Sequence, residues 1–166
     1  MSSLYARFPS KEALLSTFHD RFFDYSVDQV GQALDAIDVA GSPLNERVWR
    51  LLSFFIKSYR EHRGLLRSLL QQDRQQSSAP FAARTRAYKH MVMERALAVV
   101  LKGAPRAIQA KGIRTFRFTL WLVVSAIENV VLFGVLVGSK AVSDKELATE
   151  LTKVFVGRIK LAEEGA

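Results

Sequence analysis

The chain is 166 residues long and 49% apolar, which suits one or two modest domains with a real core and excludes a disordered polymer. It has no cysteine, so disulfides and thiolate metal sites are excluded. The net charge of +8 is uneven: residues 63 to 117 hold twelve Lys or Arg against two acids, Asp73 and Glu94, so that stretch alone carries +10. A basic middle suits nucleic acid, an anionic ligand or acidic lipid, or else a set of solvated helix faces. The first residues show no cationic-then-apolar leader, and a cytoplasmic location is the expectation.

The pattern predicts an all-α chain, because apolar residues recur at three and four and no strand-like alternation is bounded by turn residues. A short helix covers residues 3 to 8 and ends at Pro9. A long one covers 10 to 38, with Ser10 as N-cap, Glu12 in the first turn, and Leu14, Leu15, Phe18 and Phe22 on one face. "VAGSP" breaks the chain. Ser42 is expected to cap the next helix, with Pro43 at its first position. Leu44, Val48, Leu51, Leu52, Phe55 and Tyr59 form its apolar stripe. A helix over 63 to 74 comes next, then a polar loop, then a helix over 80 to 101 that ends at Gly103 and Pro105.

The stretch from Ile113 to Val137 is apolar nearly all round, with Gly138 as its stop. Residues 120 to 138 come close to the length of a membrane span, but Glu128 and Asn129 fall in their middle, where a charge costs about 2.5–3.5 kcal/mol in a bilayer. A buried helix of a water-soluble protein fits better, and no membrane partner is expected. Ser143 and Glu146 form a capping box that opens the last helix, over about 143 to 163. One chain covers the helix at 113 to 137 only partly. The expectation is therefore a homodimer in which the last two helices of each subunit make a four-helix bundle, with Glu128, Asn129, Leu132, Leu147, Leu151, Val154 and Phe155 at the interface.

The opening "SSLYARFPSKEALL" resembles the end of the DNA-binding domain of tetracycline-repressor-like (TetR family) regulators. In that family a recognition helix carries a leucine–tyrosine–phenylalanine pattern, matched here by Leu4, Tyr5 and Phe8. Next in the family comes a serine–lysine–glutamate–leucine start to the long connecting helix, matched by Ser10, Lys11, Glu12, Leu14 and Leu15. The resemblance implies residues 1–9 as the remnant of a recognition helix in an incomplete helix-turn-helix. It implies residues 10–166 as a ligand-binding and dimerisation domain, with 10–38 as the connecting helix and 113–163 as the dimerisation helices. It also implies a transcriptional regulator, with repression as the expected sense, and Tyr5 and Lys11 as DNA-backbone contacts where the domain is complete.

The two helices that precede the recognition helix in the family have no counterpart in the chain as it stands. A groove-reading helix works because its scaffold holds it in place, and six to eight residues fall short of the roughly 12–15 needed for marginal stability alone. The expectation is that operator DNA is a partner only of an intact version. The alternative is a stand-alone all-helical ligand-binding or protein-interaction dimer without DNA activity.

Nothing in the sequence points to catalysis or a cofactor. His19, His62 and His90 lack ligand spacing, and no phosphate loop, dinucleotide fingerprint or nucleophile elbow occurs. No enzyme and no metal site are expected. A ligand pocket is expected among the helices at 43 to 61, 63 to 74, 80 to 101 and 113 to 137. Its candidate lining is Phe55, Tyr59, His62, Leu66, Leu70, Tyr88, Val92, Arg95, Phe116, Arg117 and Trp121. Glu128 needs a partner within its apolar helix, supplied by a ligand, a dimer contact or an arginine. The effector is expected to be small, amphipathic or hydrophobic, and anionic where the central arginines line the cavity.

Overall fold

A computed structural model describes residues 8–37, 42–74, 79–102, 106–134 and 141–164. The described residues form six α-helices and no strand: α1 Lys11–Ile37, α2 Leu44–Glu61, α3 Arg63–Arg74, α4 Ala79–Leu101, α5 Arg106–Ile127 and α6 Asp144–Glu164. A π-helical turn, Glu128–Leu132, extends α5.

The helices start where short polar side chains supply a cap. Ser10 Oγ accepts the Ala13 N–H at 3.1 Å, and Ser143 Oγ accepts the Glu146 N–H at 3.2 Å. At α2 the expected Ser42 cap is not used. Pro43 is the residue before the helix, and its carbonyl accepts the amides of Glu46 and Arg47 at 3.0 and 3.1 Å. Its fixed φ, here −62°, supplies the entry geometry without a side-chain bond.

The core is built around α2, which packs against α1, α3, α4, α5 and α6. Val48, Leu51, Leu52, Phe55 and Ile56 are its buried face, the stripe expected from the sequence. They meet Val30 and Leu34 of α1, Val92, Ala96 and Val100 of α4, Phe116, Leu120, Val123 and Ile127 of α5, and Leu147, Phe155 and Ile159 of α6. On α1 the packed stripe is Phe23, Val30, Leu34 and Ile37, whereas Phe18 is 53% exposed. Of the expected face, Phe18 is therefore turned outward, while Phe22 is half-buried and packs on His62 at the end of α2.

Ion pairs join the layers. Arg84 of α4 bridges Asp20 and Asp24 of α1 at 2.9 and 2.7 Å, and Arg117 of α5 forks onto Glu94 of α4 at 3.0 and 2.8 Å. Arg60 of α2 binds Asp144 at the start of α6 at 2.8 Å. Arg47 donates to the carbonyls of Val99 and Lys102 at the end of α4. These bonds are largely exposed, so they set register more than stability.

Helix α5 ends earlier and starts earlier than its apolar run suggests. Its first turn begins at Arg106, and the helix stops at Phe133, where Gly134 takes φ +70°. A glycine in this left-handed conformation is a common helix stop, and here it is Gly134, while Gly138 lies outside the described residues. Helix α3 closes this end: Arg63 Nε donates to the Leu132 carbonyl at 3.4 Å, and the Arg67 guanidinium lies 6.0 Å from the Phe133 ring centre.

Ile113–Leu132 is the one stretch of the described helices long and apolar enough to cross a membrane, with mean hydropathy 1.4. Its Phe116, Leu120, Val123, Ile127, Val131 and Leu132 are buried, whereas Phe118, Trp121 and Leu122 are exposed at 52%, 58% and 44%. The described residues cover one face of α5 and leave these three side chains of the other exposed.

Gly134→Ala tests the helix stop. Forcing an L side chain into the left-handed region costs about 1 kcal/mol, and urea denaturation of the variant should show a loss of that size.

Candidate functional site

The bundle encloses a cavity of about 480 Å³ between α1, α2, α4 and α5, with His62 and Leu66 closing it beside α3. Its floor is apolar and buried: Val30, Phe55 and Val92. Its walls are aromatic. Phe22 stands edge-on to His62 with ring centres 5.7 Å apart, and Tyr88 packs on Phe23 at 5.2 Å. Tyr25 and Trp121, both more than half exposed, stand at the mouth.

The polar centre is a pair formed across two helices. The Tyr59 hydroxyl of α2 donates to Glu128 Oε1, at the first residue of the π turn, over 2.9 Å. A π turn carries one extra residue per hydrogen-bonded ring, so it rotates the residues after it relative to their places in an α-helix. Within this turn Val131 and Leu132 are both fully buried, while Glu128 faces the cavity. The Asn129 side-chain amide donates to the Ser125 carbonyl at 2.8 Å as the backbone ladder changes register.

Burial raises the Tyr59 phenol well above its ordinary value, and the adjacent Glu128 carboxylate raises it further through charge and through the hydrogen bond. Tyr59 therefore keeps its proton and acts as a donor. Burial raises Tyr88 as well, partly offset by a hydrogen bond from Ser26. At the rim, Lys57 lies 3.8 Å from Glu61, both exposed.

Seven of the eleven pocket candidates read from the sequence line this cavity: Phe55, Tyr59, His62, Leu66, Tyr88, Val92 and Trp121. Four do not. Phe116 is 2% exposed in the core and packs edge-on against Phe155. Arg117 is on the surface, bound to Glu94, and that bond raises its pKa and lowers that of Glu94. Arg95 is exposed and lies over Gly31 of α1, where a Cβ would meet its guanidinium at 2.3 Å. Leu70 packs beside the core from α3. An arginine on a helix surface finds an acid on the next helix more easily than it enters an apolar cavity.

The interface candidates also divide. Leu132, Leu147 and Phe155 are buried within the chain, so they cannot form a contact with a second copy. Leu151 is half-buried against the same core. Glu128 faces the cavity and not the outside of α5. Only Asn129 and Val154 are exposed, Val154 at 59%. The apolar side chains that α5 does expose, Phe118, Trp121 and Leu122, carry no mark in the sequence, because a helix apolar all round gives no periodicity by which to tell its bare face. The contribution of α1 escapes sequence reasoning too, since Phe22, Ser26 and Gln29 line the cavity. A serine breaking the apolar stripe between Phe23 and Val30 is the signal that points to it.

Tyr5 lies outside the described residues, as does the side chain of Lys11. Among the described residues no three His, Cys, Asp or Glu side chains gather to hold a metal ion. No protein-family model, curated protein or solved structure matches the chain.

The raised phenols make stability depend on alkaline pH. A folded-state pKa above that of the unfolded chain gives stability that is complete below about pH 10 and is lost as pH rises beyond it. Urea denaturation at a series of pH values should show this loss, and Tyr59→Phe should remove the larger share of it.

Proposed function

We propose that this chain is the effector-binding and pairing portion of a TetR-like transcriptional regulator. One observation carries the reading: the mouth of the cavity is continuous with the bare face of α5. Trp121 lines the cavity and stacks on Phe118, with ring centres 6.2 Å apart and planes 24° apart. A ligand that moves Trp121 therefore acts directly on the surface where a second copy would sit. In such a regulator the effector favours one arrangement of the two subunits, and the energy available for the switch is its differential affinity for the two arrangements.

The pairing surface in this reading is Phe118, Trp121, Leu122 and Asn129 of α5 with Val154 of α6. Large apolar side chains clustered on one face favour burial against a partner. The same cover accounts for the bare half of Ile113–Leu132 without a membrane, since its other half is already occupied by α2, α4 and α6. Binding DNA and the sense of regulation rest on the resemblance of the opening motif to the family. No step of the proposed sensing requires catalysis, a metal or a cofactor.

Light scattering on the purified chain tests the pairing. A dimer at micromolar concentration is expected, and Leu122→Glu or Val154→Glu should shift it to monomer. Phe155→Ala should leave association unchanged while lowering stability by about 3–5 kcal/mol, as for a large core residue. A wild-type chain that stays monomeric overturns the pairing. Comparison of transcripts from the genes flanking its own, with and without the gene, tests regulation. No change in any of them would leave a helical ligand-binding protein without a regulatory role.

A further inference from the structure

We infer that the cavity takes a compact aromatic or aliphatic ligand bearing a cationic amine, with Glu128 as its counter-ion. The inference rests on the reading of the cavity as an effector site, and it reverses the charge expected from the sequence.

The anionic expectation depended on central arginines reaching the cavity. Arg117 is bound to Glu94 on the outside, and Arg95 lies over Gly31. The cavity's two lysines, Lys57 and Lys89, are exposed at the rim, and Lys57 has Glu61 beside it at 3.8 Å. Of the two acids that line it, Glu61 is exposed and sits beside Lys57, and Glu128 is the half-buried one.

Glu128 is arranged to bind a further donor. A carboxylate offers about four acceptor positions on its two oxygens. Tyr59 fills one of them, at Oε1. Tyr59 can only donate there, so it orients the carboxylate without neutralising it. Among the described residues no side chain donates to Oε2, and no arginine or lysine forms an ion pair with Glu128. The remaining walls favour the same charge. Phe22, Tyr25, Tyr59, Tyr88 and Trp121 surround the space, and aromatic faces attract ammonium groups. The cavity volume of about 480 Å³ admits a ligand of one or two rings with a short amine arm.

Titration calorimetry on the full chain with three probes of one shape tests this: naphthylmethylammonium, naphthylmethanol and naphthoate at neutral pH. The ammonium probe is expected to bind about tenfold or more tightly than the alcohol, as for a charge-assisted bond inside a cavity, and the carboxylate to bind most weakly. Glu128→Gln should bring the ammonium probe to parity with the alcohol. Tyr59→Phe, which keeps the carboxylate, should retain the preference. Circular dichroism checks that each variant is folded, and the ranking by the wild-type chain decides the matter should Glu128→Gln not fold. Equal binding of the three probes, or tightest binding of naphthoate, overturns the cationic inference and leaves the cavity as a ligand site. A preference that survives in folded Glu128→Gln overturns the role of Glu128. Failure of all three probes to bind overturns the effector-site reading itself.

Discussion

Glu128 stands on the most apolar helix of the chain, and a carboxylate there must be given a donor. Removing one from water without compensation costs far more than a domain's margin of stability allows. The donor is Tyr59, whose own burial and proximity to the carboxylate keep it protonated. This bond ties the central helix α2 to the end of α5 at the point where the backbone widens into a π turn. The pair opens onto a cavity whose other walls are mostly Phe, Tyr and Val side chains. Its acceptor capacity exists because one phenol satisfies only part of a carboxylate.

The same end of α5 is held from a second side. Arg63 and Arg67 of α3 reach the terminal carbonyl and the Phe133 ring, and Gly134 lets the chain leave the helix. Rigidity at this point matters to any sensing role. A ligand that contacts Glu128 meets a fixed wall, whereas one that contacts Trp121 meets a residue at the surface, stacked on its neighbour Phe118. In the proposed sensing role, a displacement of Trp121 would pass to Phe118 and so to the proposed pairing surface.

The basic middle of the chain has a more local meaning than its total charge suggests. Arg84 and Arg117 are each spent on acids of a neighbouring helix, while Arg63 and Arg67 close α5. A run of positive charge in sequence becomes a set of separate contacts once helices turn successive residues to different directions. The expectation of an anionic ligand loses its basis at this step, since net charge along the chain carries no information about which face each cation occupies.

The amino-acid sequence by itself determined the helical class, the caps at Ser10 and Ser143, and the buried stripe of α2, because these depend on neighbours within a turn or two. It also pointed to much of the cavity, since aromatic residues on facing helices converge wherever a bundle closes. Tertiary structure alone decided where α5 is covered. Phe116, Leu120 and Leu132 went to the inside, and Phe118, Trp121 and Leu122 to the outside. A helix apolar on every side has no preferred face until its neighbours choose one. Tertiary structure also decided the partner of Glu128, sixty-nine residues from Tyr59, because no local pattern marks a hydrogen bond that forms only when two helices meet.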